Sequence, residues 1–281
     1  SQKWSYIGGF SIVKQKIRQQ NRAKWLTKEL LRLGSAFIKL GQLISARPDV
    51  LPKSWVAELG ELQDKVPAFS FERVQAIIEN ELGERCKEII DLDEDPIAAA
   101  SIAQVHRACL TSGRQVVFKV QRPGLETFFK LDLEVMQKVA LLLQKNKSLS
   151  RGKDWISIAK ECKRVLLKEL DFRVEAQYAA RFRQQFLEDP NIKVPGVIWE
   201  LSTQKIICLD YLPGIKINDR EAIRNSGLNP SAIAELGANS YLKQLIQFGF
   251  FHADPHPGNL AVDSDGSLIF YDFGMMGMIS E

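Results

Sequence analysis

The sequence predicts an α+β fold: a helical leader, then two lobes that mix short strands with helices. Two features of pattern carry the prediction. Apolar residues recur at spacings of three and four through about the first 85 residues. From there, short β-type runs closed by turn residues alternate with helical stretches. Bulk composition is the third observation. A chain of 281 residues, 45% apolar and 26% charged, suffices for one large domain or two modest ones with a real core.

Residues 21–46 read as the first helix, because Trp25, Leu26, Leu30, Leu33, Phe37, Leu40 and Ile44 share its spacing, and Arg47-Pro48 ends it. A second helix fits 53–63, with Trp55, Val56, Leu59 and Leu62 on one side. A third starts near Ser70 and stops at Gly83, a glycine C-cap. "SIAQVHRACL" and "RQVVFKVQRP" are strands joined by "TSG", a hairpin. Helical patterning returns at 125–145 and as one long run at 154–187. "GVIWELSTQKIICLDYL" reads as a second hairpin turning at Ser202-Thr203, ended by Pro213-Gly214. Residues 230–249 form another helix, followed by a loop, the strand "NLAVD", the turn "SDG" and the strand "SLIFYD". The expected domains are a helical extension over 1–85, a β-rich lobe with inserted helices over 86–212, and the start of a helix-led lobe over 213–281.

Net charge is +4, and it is uneven: residues 1–39 hold nine Lys/Arg against one acid. Such a segment suits an anionic lipid surface or nucleic acid, and equally a solvated helix face. The cysteines Cys86, Cys109, Cys162 and Cys208 form no C-x-x-C pair, which argues against a zinc ribbon or disulfide framework and fits a reducing compartment. No apolar run approaches the roughly 18 residues of a membrane span. No signal peptide is visible in a chain that starts at Ser1.

The chemistry concentrates in "FFHADPHPGNLAVDSDGSLIFYDFG", Phe250 to Gly274. Asp254 and Asn259 lie five apart on a Pro- and Gly-punctuated loop, and Asp272 follows a hairpin that doubles the chain back. Two acids and an amide can then converge, an oxygen set suited to a hard cation such as Mg²⁺. His252 and His256 raise zinc, but Pro255 and Pro257 break the helix that an H-x-x-x-H pair needs, and the stretch has no cysteine. A loop whose acids merely cap turns is the bland alternative. Asp-x4-Asn followed by D-F-G is the protein-kinase arrangement, with Asp254 at the substrate hydroxyl and Asn259 and Asp272 at magnesium. That arrangement requires a strand lysine held by a helix glutamate. Lys119 in "VVFKV" supplies the lysine, unless it is a solvent-facing strand residue, and Glu161, Glu169 and Glu175 are the candidate glutamates.

Three more segments carry a family resemblance: K-x-G-Q at Lys39, Gly41 and Gln42, the alanine-rich "AAASIAQVH" over 98–106, and "KELDFRVEA" with Glu169, Asp171 and Glu175. Together they resemble the UbiB family of atypical, protein-kinase-like proteins, over nearly the whole chain. The resemblance implies a two-lobed kinase-like fold that uses ATP and Mg²⁺. It implies that Lys119 contacts phosphates and pairs with Glu175, that Asp254 is catalytic, and that Asn259 and Asp272 bind metal. Ala99, Ala100, Ser101, Ala103, Asp210 and Leu212 would line the nucleotide. Lys39 and Gln42 would belong to a regulatory extension over the substrate entrance, faced by Glu169 and Asp171, with Lys39 partnering Glu169. Lys39 and Gln42 are three apart and Asp171 and Glu175 four apart, spacings that share a helix face.

Methyl groups in place of a glycine loop restrict backbone approach to phosphate, which predicts altered nucleotide preference or slow transfer. The family implies a role in isoprenoid quinone (ubiquinone or plastoquinone) biosynthesis. It also implies an intracellular site with peripheral membrane association, on the bacterial cytoplasmic side or in a plastid or mitochondrion. The expected partners are an anionic membrane surface and quinone-biosynthesis proteins or lipids, without nucleic acid. The rival readings are a small-molecule kinase of the aminoglycoside or choline type and a catalytically silent, nucleotide-gated regulator. The sequence ends at Glu281, soon after D-F-G, so the expectation is a truncated C-lobe.

Overall fold

The computed structural model describes residues 12–34, 37–39, 41, 55, 58–59, 67–146, 150 and 152–279. In chain order the elements are α1 (Ile12–Leu33), α2 (Phe71–Leu82), β1 (Ile89–Leu92), β2 (Ala98–Ala99), β3 (Ala103–Leu110), β4 (Gln115–Gln121), α3 (Leu125–Lys145), α4 (Trp155–Lys168) and α5 (Phe172–Gln185). They continue with β5 (Ile192–Lys193), β6 (Ile206–Asp210), β7 (Ile215–Lys216), α6 (Arg220–Asn225), α7 (Pro230–Leu242), β8 (Phe250–His252), β9 (Leu260–Val262), β10 (Leu268–Phe270) and β11 (Met276–Met278). The chain divides into two compact units, one of 1–68, 99–103 and 122–168, the other of 69–98, 104–121 and 169–281.

In the first unit, α1 starts nine residues before the expected position and stops where Gly34 takes φ 111°, a conformation only glycine adopts cheaply. The single helix expected over 21–46 is therefore interrupted, although 37–39 and 41 are again helical. Trp25, expected on the packed face, is exposed. Leu30, Ile38 and Leu59 form the small core here. The helix expected over 53–63 lies largely outside the described residues. α3 has the expected bounds and packs against α4, burying Leu125, Phe129, Leu133 and Ala140.

The second unit holds the strand order β1-β3-β4-β6. β3 and β4 are the expected hairpin, with Gly113 at φ 80° in its turn. α2 begins after Ser70 and ends at Gly83, as its pattern predicts. Its Val74, Ile78 and Leu82 pack on Ala108, Leu110, Val116, Phe118, Val120 and Cys208. Strand alternation matters most on β4. Val116, Phe118 and Val120 face this core, so Lys119 projects from the opposite face. Burying Phe118 completely stabilises the register by about 2–3 kcal/mol. The second expected hairpin forms only in part. β6 pairs with β4, Lys119 lying opposite Ile207, and the other limb is a short 3-10 turn at Trp199–Leu201 plus one bridge from Val197 to Leu209.

The long helix expected over 154–187 is broken at 169–171. Tertiary bonds take over the backbone there: Gln121 donates to the Leu170 carbonyl at 2.9 Å, and the Phe172 amide donates to Gln204 O at 2.9 Å. Asp171 then N-caps α5. The helix expected to run to 249 converts at Lys243–Phe248 into π-helix, closed by Gly249 at φ 59°. The remaining strands form two small sheets, β5-β10-β9-β7 and β11-β8. β9 and β10 are the expected antiparallel hairpin, turning at Gly266, φ 87°.

Candidate functional site

The Lys119 ammonium lies 2.6 Å from Glu175 Oε1 and 3.3 Å from Asp272 Oδ2. β4 delivers the lysine, the first turn of α5 the glutamate, and the segment after β10 the aspartate. Phe172 lies beneath the ammonium, 5.6 Å from it to the ring centre. Burial opposes the charge on Lys119, but Asp272 and Glu175 more than offset it, and its pKa stands above the ordinary lysine value. Burial raises Glu175, Lys119 pulls it down, and Asp272 adds to the rise, so the net direction is upward.

The second group gathers around His252, which is buried. Its Nδ1 accepts from the Asp254 amide at 3.2 Å, and its Nε2–H donates to the Asp272 carbonyl at 2.5 Å. One imidazole thus ties the loop carrying Asp254 to the backbone of D-F-G, and the two bonds fix its tautomer. The register of β8 with β11, Met276 opposite His252, brings these segments side by side. Asn259 closes the loop by donating Nδ2–H to the Asp254 carbonyl at 3.2 Å. Asp272 Oδ1 accepts the Gly274 amide at 2.8 Å. Phe273 is fully buried against Phe182 of α5, ring centres 5.4 Å apart. His256 accepts the Gly258 amide and so caps the short turn Pro257–Asn259.

Several supporting residues escaped sequence reasoning. Gln244, fully buried in the π-helix, accepts the His252 amide at 2.9 Å, and Tyr241 donates to the His252 carbonyl at 3.0 Å. In the alanine-rich motif, Gln104 makes paired bonds to the Phe69 backbone, at 2.9 and 3.1 Å, and also bonds His106, whose Nδ1 meets Asp93 O at 2.8 Å. These two polar residues therefore anchor the entry to α2.

The other site residues are placed as follows. Asp210 is committed within the protein: its carboxylate meets Arg114 at 2.7 Å and the Gly196 amide at 3.0 Å. The Leu212 carbonyl accepts from Tyr271 Oη at 2.8 Å, and burial, with Tyr211 and Asp263, pushes that phenol up to about 12. Asp171 does not share a helix face with Glu175, because it is the N-cap and pairs with Arg173 at 2.7 Å. Glu169 is buried in the break before α5, and Glu161 pairs with Arg164. In the first unit, Ala100 N–H closes on Ala103 O at 2.8 Å, and Arg122 donates to Ala100 O at 2.9 Å and Pro67 O at 2.6 Å. Ser101 and Ala103 are buried, while Ala100 is exposed and Ala99 half-buried. Lys39 of that unit is helical and half-buried, and Gln42 lies outside the described residues.

The donor set of Asp254, Asn259 and Asp272 is carboxylate and amide oxygen without thiolate, which fits Mg²⁺ with phosphate oxygens. Among the described residues, no group of three or more His, Cys, Asp or Glu gathers as a metal cluster. None of their helices is long and apolar enough to cross a membrane.

Comparison with known proteins places the chain among similar sequences and folds. The family profile of the ABC1 atypical kinase-like domain matches residues 61–281. An uncharacterized Synechocystis protein, sll1770, is 49% identical over 99% of the chain, and the chloroplastic Arabidopsis protein ACTIVITY OF BC1 COMPLEX KINASE 7 is 49% identical over 99%. The chain spans 48% and 40% of their lengths. Among solved structures, that of Mycobacterium tuberculosis Rv3197 with erythromycin superposes with a TM-score of 0.65 at 27% identity, covering 95% of this chain and 67% of that one.

Proposed function

As the chain belongs to the ABC1 (UbiB) family of atypical, protein-kinase-like proteins, we propose that it binds Mg-ATP and transfers or hydrolyses the terminal phosphoryl group in support of isoprenoid quinone biosynthesis. The observation that carries this reading is the closed pair of Lys119 and Glu175 beside Asp272, the arrangement that phosphoryl transfer requires. In the proposed site Lys119 holds phosphate oxygens by its protonated amine. Asp272 and the Asn259 amide oxygen hold magnesium, which neutralises charge on the phosphates. Asp254 orients the attacking hydroxyl or water and accepts its proton. His252 positions both acids through their backbones. Ala99, Ala100, Ser101 and Ala103 are the residues proposed for nucleotide binding from the alanine-rich loop, and Asp210 and Leu212 those proposed for the base. Lys39, Gln42, Glu169 and Asp171 form the regulatory set. An anionic membrane surface is the proposed workplace, and the chloroplastic relatives favour a plastid-type or cyanobacterial setting.

The test is single-turnover phosphate release. Asp254→Asn abolishes turnover and leaves Mg-ATP binding intact. Turnover unchanged by that substitution contradicts the catalytic reading and leaves a nucleotide-gated regulator.

A further inference from the structure

In the unit that contains α3, one face of that helix is exposed among the described residues. Phe128, Leu131, Val135, Val139 and Leu142 are all exposed, Phe128 at 62% and Leu142 at 67%. Their spacings of three and four set them on one face, along about 21 Å of helix. The buried residues Leu125, Phe129, Leu133 and Ala140 lie on another side, against α4. The helix is thus apolar on two faces, and among the described residues one of them packs.

Over 125–145 the helix itself carries three lysines against three acids, with exposed Glu134 beside Lys138, and the basic excess belongs to the unit around it. Lys138 and Lys145 are exposed along its edge, and residues 122–168 carry eleven Lys/Arg against five Asp/Glu. α1, in the same unit, adds seven against one and exposes Trp25 among Arg22, Lys24 and Lys28. The other unit, which holds Lys119, Glu175 and Asp272, has 15 basic against 24 acidic residues. An apolar stripe edged by lysines is the pattern of a helix lying in a lipid interface, and exposed tryptophan suits the same boundary.

We propose that the α3 face of Phe128, Leu131, Val135, Val139 and Leu142 docks on an anionic lipid bilayer, with Lys138 and Lys145 at the headgroups. The proposal deepens the membrane part of the function above by naming the surface. A second copy of the chain is the poorer occupant. The exposed stripe amounts to roughly 500 Å², below the about 800 Å² per partner of a stable interface. A heptad seam through 128, 131 and 135 would next place Lys138 in its core. A bilayer needs neither a minimum area nor a matching seam, and its negative surface attracts the lysines.

The experiment is flotation of the full chain with vesicles of phosphatidylcholine and phosphatidylglycerol in equal parts, and with phosphatidylcholine alone. The chain floats with the anionic vesicles, and the double substitution Phe128→Ser, Leu142→Ser weakens partitioning at least tenfold. Lys138→Glu with Lys145→Glu weakens it for anionic vesicles in particular. Both variants retain the wild-type unfolding midpoint, because the side chains are exposed. Mg-ATP binding measured on the same samples stays unchanged, so a failed nucleotide reading shows there and not in flotation. The proposal is overturned if the wild type does not float, if the serine variant floats as well as the wild type, or if sedimentation shows a dimer that the serine variant dissociates.

Discussion

Lys119→Met tests the buried charge cluster directly. Without the ammonium, the Glu175 carboxylate is left buried with Asp272 as its charged neighbour. Burial already raises the Glu175 pKa above 4.5, and Lys119 is the group that opposes the rise. Its removal therefore drives the folded-state pKa higher. The sign follows by linkage: a carboxyl that holds its proton more tightly when folded destabilises the protein as pH rises. Relative to the wild type, whose Glu175 is already raised above 4.5, the loss is absent below the wild-type folded value and grows by about 1.36 kcal/mol per pH unit up to the variant's folded value. The ceiling is about 3–5 kcal/mol, the cost of breaking a buried pair by removing one partner. Glu175→Gln is milder, because Lys119 keeps Asp272 at 3.3 Å, and its cost of about 1–2 kcal/mol carries no such slope. Urea unfolding followed by circular dichroism reads both variants. Lys119→Met loses under about 1 kcal/mol near pH 5 and about 3–5 near pH 8. Equal losses for the two variants, flat with pH, would refute the reasoning.

His252→Ala removes the bonds to the Asp254 amide and the Asp272 carbonyl and leaves a cavity, a loss of about 2–4 kcal/mol by urea unfolding, with weaker Mg-ATP binding by calorimetry. Gly214→Ala sets a methyl 2.9 Å from Ala261 Cβ and Ile269 Cδ1, so thermal unfolding shows a loss of about 1–3 kcal/mol. Lys193 holds Asp263 below its ordinary pKa of 3.8, so this contribution is complete above that value and lost as pH falls through the folded one. Asp263→Asn accordingly flattens the acid limb of a stability profile below about pH 4 and costs under about 1 kcal/mol at neutrality. Ala103→Gly changes nucleotide affinity or autophosphorylation, and no change in either overturns the role given to the alanine-rich loop.

What was legible in the sequence is what a single local pattern encodes. α3, α2 with its glycine stop, the β3–β4 hairpin and the β9–β10 hairpin all follow from periodicity and turn residues. Lys119 was legible because the arrangement of Asp254, Asn259 and D-F-G requires a strand lysine and "VVFKV" supplies one. The break at 169–171 was not, because the Gln121 and Gln204 side- and main-chain groups that create it are distant in sequence. That break decides that Asp171 caps a helix and that Glu175 sits in its first turn. The π-helix at Lys243–Phe248 has no period signature, so Gln244 was invisible as the support of His252. Helical spacing alone put Trp25 on a packed face, and only tertiary structure shows it exposed.

Calorimetric titration of Mg-ATP into the wild type, Asp272→Asn and Asp254→Asn tests most directly that Asp272 holds the metal while Asp254 serves the chemistry. Asp272→Asn weakens binding at least tenfold, and Asp254→Asn binds as the wild type does. Unchanged affinity in Asp272→Asn contradicts the account.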